Sequence, residues 1–186
     1  MSVYAFTLLT HSYLRWLIVA VGLLLVVRTA LGWARAATWL EADERLHSIF
    51  VALIDTQFTL GLVLYLFLSP ISHAFFAQPG IGMKQPMLRF FGMEHAVAMV
   101  LAVSIVHVGR VRSKKAATPQ LRQRRACISV LGALLLIALS IPWPFLPYGR
   151  PLLRGVSSSS HEPTPVASRA SRAASAAHSA GNFPWR

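Results

Sequence analysis

Residues 17–27 read LIVAVGLLLVV, an unbroken apolar run inside a longer stretch, 12–34, whose only charges are Arg15 and Arg28. Such a run does not alternate apolar with polar residues as a half-buried strand does. The longer stretch around it, 12–34, reaches the roughly 20 residues that a helix needs to cross a hydrocarbon core. Three further runs follow at about 48–69, 90–109 and 126–145. The chain is therefore expected to be all-α, an integral membrane four-helix bundle over residues 1–148, followed by a polar, intrinsically irregular C-terminal tail over 149–186.

Composition agrees with this reading. Of 186 residues 55% are hydrophobic and 13% charged, where a soluble domain carries about a quarter charged residues, and the mean hydropathy is +0.54. The net charge of +12 suggests no nucleic-acid partner, because the bases flank apolar runs and act as topology signals. Arg110, Arg112, Lys114, Lys115, Arg122, Arg124 and Arg125 precede the fourth run with no acid among them. The positive-inside rule assigns that loop to the cytoplasm and both termini to the periplasm. The start of the chain does not read as a cleavable signal, since Arg15 and Trp16 interrupt it and the apolar stretch is too long. The single cysteine, Cys127, excludes an internal disulfide. From about Ser157 the tail is rich in Ser, Ala, Pro and Arg, cannot bury a core of its own, and is expected to contact other membrane subunits, with Phe183, Pro184 and Trp185 as its anchor.

Ionisable residues inside apolar runs are costly enough to be paired or functional. Only Asp55 and Glu94 are acidic there. Counting about 1.5 Å per residue, Arg28 lies roughly 9 Å and Asp55 roughly 10 to 12 Å from the same boundary, so an Arg28–Asp55 ion pair is expected. At the opposite boundary His11, Arg15, Arg89, Glu94 and His95 are expected to converge between the first and third runs.

His47 and His107 mark the cytoplasmic end as His11 and His95 mark the other. Histidines on different helices at one depth are what b-type haem ligation requires, with one imidazole on each side of the iron. Positions 95 and 107 differ by 12 residues, which at about 100° per residue turns one some 120° from the other. One haem, held by His11 and His95 as metal ligands, is thus favoured over two, with Arg15, Arg89 and Glu94 around it and His47 and His107 as further candidates. Each histidine also has a plainer role: His11 hydrating its helix, His47 solvated beside the acidic loop, His107 at an interface.

The combination His11-Ser12-x-Leu14-Arg15-Trp16, Gln57-x-x-x-Gly61-x-x-x-Tyr65, Arg89-Phe90-x-x-x-Glu94-His95, His107-x-Gly109-Arg110 and Ile141-Pro142-Trp143-Pro144 resembles small bacterial four-helix membrane proteins labelled cytochrome-b-like. The resemblance covers about residues 8–145 and implies a bacterial cytoplasmic (inner) membrane. Where that group is expected to carry a histidine or another polar residue before the second-run glutamine, this chain has Asp55-Thr56.

The expected function is a membrane subunit of an electron-transfer assembly, respiratory or photosynthetic, without independent catalytic activity. The alternative is a non-redox accessory or scaffold subunit of such a complex, packed against partner helices, lipids or a chlorophyll-type pigment that needs one axial ligand. A transporter is disfavoured because no inverted repeat or broken helix is evident. No nucleophilic triad, paired carboxylates or His-Glu-x-x-His motif occurs.

Overall fold

A computed structural model of the protein describes residues 2–152. The expected contacts of the tail beyond that point lie outside the described residues.

Every element among the described residues is helical. Helix α1 (Val3–Ala34) begins where the Ser2 hydroxyl accepts the Ala5 N–H at 3.2 Å. It ends with Ala36 at φ 49°, a left-handed residue after the helix where glycine is usual. Helix α2 (Glu41–Val63) starts on Glu41, Asp43 and Glu44, whose negative charges suit the positive end of the helix dipole. It runs on through one wide turn of π-helix, Leu64–Leu68. Three short helices follow, each opened by a proline: α3 (Pro70–Ala77), α4 (Pro79–Gly82) and α5 (Pro86–Arg89). A second π turn, Phe90–Glu94, leads into α6 (His95–Lys114), and α7 (Pro119–Leu139) begins on a Thr118 cap.

Three segments are long and apolar enough to cross a membrane: Val3–Ala34, Glu41–Leu68 and Pro86–Lys114. The helical segments run past the expected boundaries 12–34, 48–69 and 90–109, starting earlier in all three and ending later in the third. The fourth run differs in the other direction. Its helix stops at Leu139, not at 145, because Pro142 and Pro144 cannot continue it and bias the residues before them away from helix. Between Arg125 and that stop, residues 126–139 span only about 20 Å.

The four long helices pack antiparallel, with α1 between α2 and α7, and α6 beside α7. The seam between α2 and α6 is the loosest of the four. The core draws on all four helices, with Leu25, Phe50, Val106, Val130 and Ala133 fully enclosed. Outward faces are apolar, with Leu24, Leu135 and Leu139 exposed. Such faces are compatible with association with a lipid bilayer.

Helices α6 and α7 approach closely at Gly109, where an added Cβ would lie 2.1 Å from the Ser129 Cβ. Gly109→Ala must push the helices apart, and is expected to lower stability by about 1–3 kcal/mol. At Gly132 the nearest side-chain atom, on Ile105, is 4.0 Å from such a Cβ, so Gly132→Ala is expected to be neutral or stabilising by up to about 1 kcal/mol. Thermal unfolding of both variants in detergent checks this; equal losses would contradict the packing described.

Candidate functional site at the histidine end

The π turn Phe90–Glu94 sets the geometry of this end. At the α-helical 100° per residue, positions 89 and 94 would point about 140° apart. Bonding i to i+5 widens the turn and returns them to one side. Arg89 Nε thereby donates to Glu94 Oε1 at 2.6 Å. The second π turn is tied to the first, since the Tyr65 hydroxyl donates to the Gly92 carbonyl at 2.6 Å.

One residue on, α6 carries His95 into the bundle. Its Nδ1 lies 3.1 Å from the Ser140 carbonyl oxygen. A carbonyl only accepts, so Nδ1 holds the proton and Nε2 keeps its lone pair. That carbonyl is available because α7 ends at Leu139, and the last carbonyls of a helix have no donor of their own.

His11 reaches the same place from α1. The two imidazole centres are 6.4 Å apart with the ring planes at 70°. The Nδ1–Cε1 edge of His11 rests on Gly61 of α2, where an added Cβ would come within 3.1 Å of Cε1. Gln57 Nε2 donates to the His11 carbonyl at 2.9 Å and fixes α1 against α2. The His11 Nδ1 itself is buried without a hydrogen-bond partner among the described residues.

A cover closes this end. Residues 141–152 fold back over the helices, with Tyr148 stacked on Phe90 at 3.9 Å and Arg150 over Phe91. The Leu152 carbonyl accepts from Arg15 Nη2 at 3.3 Å and from Trp16 Nε1 at 3.1 Å. Phe90 and Phe91 flank His95, with ring centres at 5.8 and 6.4 Å. Of the five residues expected to converge, His11 and His95 meet, and Arg15 lies at the same end, on the Leu152 carbonyl. Arg89 and Glu94 satisfy each other and stay partly exposed, at 41% and 39%. The roles of Ser140, Tyr148 and Leu152 were not read from sequence, although the prolines at 142 and 144 signal the helix stop that makes them available.

The opposite, basic end differs from expectation. Arg28 pairs with Asp43, not with Asp55. The physical reason is depth: α2 starts at Glu41, which puts Asp55 about 21 Å into the helix, whereas Arg28 lies about 9 Å from the end of α1. Asp43 also accepts the Leu40 N–H at 2.8 Å, and its side chain is 4% exposed. Asp55 instead lies 2.8 Å from His107 Nε2, with both side chains about half exposed. His47 is buried beside Trp39, at 6.2 Å between ring centres. The two basic-end histidines are thus engaged separately.

Comparison with protein families, with curated proteins and with solved structures gives no match for this chain.

The pairing at the basic end is open to test. Asp43→Asn removes the partner of Arg28 and is expected to destabilise by about 2 kcal/mol, the range for hydrogen bonds to charged groups. Asp55→Asn leaves that pair intact and is expected to cost less. Unfolding titrations in mixed micelles rank the two, and a larger loss for Asp55→Asn would contradict the assignment.

Proposed function

We propose that this chain is a membrane subunit of an electron-transfer assembly that holds one b-type haem between His11 and His95, with α7 as a fourth crossing. The observation that carries the reading is the His11–His95 spacing of 6.4 Å. Two metal–nitrogen bonds of about 2 Å, with roughly half a ring beyond each, need about that separation. His95 further supports it, because a carbonyl on Nδ1 is the partner that fixes Nε2 as a ligand atom. Among the described residues no group of three or more His, Cys, Asp or Glu side chains can hold a bare metal ion.

In this reading His11 and His95 would hold the group. Arg15, held by the Leu152 carbonyl at the same end, would supply positive charge toward an acidic group bound there. Residues 141–152 keep water from that end, and Gln57 holds α1 in register for His11. The bound group supplies a one-electron redox couple. One observation favours a second reading. Only His95 has its Nδ1 fixed by a partner, and a chlorophyll-type magnesium takes a single imidazole, as in an accessory subunit without redox chemistry.

The membrane arrangement is part of the proposal: a bacterial inner membrane, both termini periplasmic, the basic loop 110–125 cytoplasmic, and lipid and partner subunits around the outward faces. Reporter fusions at the end of the chain and within 110–125 test it; a cytoplasmic reporter active at the end of the chain reverses the assignment.

Extraction of haem and pigments from the purified protein tests the function. His11→Ala and His95→Ala are each expected to lose at least 90% of bound haem, with His73→Ala retaining it. Loss of a magnesium pigment from His95→Ala alone selects the second reading. Wild-type protein isolated from its native membranes with neither group removes both.

A further inference from the structure

The basic end holds a second cluster, formed by α2, α6, α7 and the turn before α2. Glu44 accepts from Arg110 Nη2 at 2.8 Å and from Arg122 Nη2 at 2.5 Å, and Lys114 Nζ lies 3.3 Å away. Arg110 also donates to the Ser48 hydroxyl at 2.7 Å. The Arg122 guanidinium lies over the Trp39 ring at 4.4 Å, and Trp39 packs beside His47, which is 2% exposed. One carboxylate therefore faces three cations.

The hydrogen-bond inventory of this cluster is one-sided. Arg110 Nη1, Arg122 Nε, Trp39 Nε1 and His47 Nε2 are all buried without a partner among the described residues. Arginine and tryptophan nitrogens can only donate, and His47 Nε2 donates when it carries the proton. Native structures leave few such groups unmet, so a cluster of them asks for an acceptor. Glu44 is already shared among three cations. The neighbouring unmet acceptor, Gln123 Oε1, sits against Gly32 of α1. An anion answers both needs at once, accepting from these donors and offsetting the surplus positive charge around Glu44.

We propose that Arg110, Arg122, Trp39 and His47 bind an oxyanion of the phosphate type at this end of the bundle. A phosphate group offers several oxygens to donors arriving from different directions, and guanidinium groups recognise it by charge-assisted hydrogen bonds. Its source is either the headgroup of an anionic phospholipid, for which basic pockets between helices are suited, or a soluble phosphate. The site is independent of the haem reading, and Glu44 holds the two arginines in place for it.

The test uses the full chain and compares wild type with Trp39→Phe, which removes one donor and keeps the ring, and Arg122→Gln. Thermal unfolding is followed in two arms: inorganic phosphate against chloride at matched ionic strength in zwitterionic detergent, and nanodiscs of phosphatidylcholine with or without phosphatidylglycerol. The wild-type midpoint is expected to rise by about 3–6 °C in at least one arm, with apparent affinity about tenfold weaker in Trp39→Phe. Protection by phosphate identifies a soluble ligand, and protection by phosphatidylglycerol alone identifies a headgroup. No shift in either arm, or equal shifts in wild type and Trp39→Phe, overturns the proposal. Should Arg122→Gln fail to fold, Trp39→Phe still decides.

Discussion

Pro142 and Pro144 stop α7 at Leu139, and the carbonyl thereby left open at Ser140 takes up His95 Nδ1. Much of the histidine end follows from that stop. A helix continued to residue 145 would have used the Ser140 carbonyl internally and carried Trp143 and Tyr148 away from the bundle. Because the chain turns instead, Tyr148 stacks on Phe90 and Leu152 meets Arg15 and Trp16. The imidazole of His95 is held in one tautomer by the same break that builds its cover.

Each polar group carried into the apolar bundle is handled by a local device. The π turn at 90–94 brings Arg89 round to Glu94, which leaves the adjacent His95 free of a carboxylate. Glycine at 61 lets the His11 ring lie against α2, and glycine at 109 lets α6 and α7 close up. Small residues at such contacts are the means by which apolar helices approach closely when the surroundings offer no hydrophobic driving force. At the basic end Asp43 serves twice, as the partner of Arg28 and as acceptor for the Leu40 N–H at the start of α2.

The long helices were legible from the apolar runs alone, and so was the placing of His11 and His95 at one end, since both readings need only a count of residues from a boundary. The Arg28–Asp55 pairing failed because that count began at the apolar edge near residue 48, while the helix begins at the capped, acidic turn at Glu41. The π turns left no mark that periodicity detects, as a single wide turn shifts the apolar pattern by only one residue. The fourth run looked like its neighbours, yet its arginines and prolines leave the shortest apolar stretch of the four. The unmet donors around Trp39 were invisible in sequence, because they lie on three helices and a turn that only packing brings together.

In the proposed function, imidazoles from α1 and α6 would hold one haem iron. Electron paramagnetic resonance of the oxidised protein, isolated from its own membranes, tests this most directly because it reports the axial ligands. The expected result is a low-spin ferric signal of bis-imidazole type that is lost in both His11→Ala and His95→Ala. A high-spin signal, or a low-spin signal that survives either substitution, would contradict the claim.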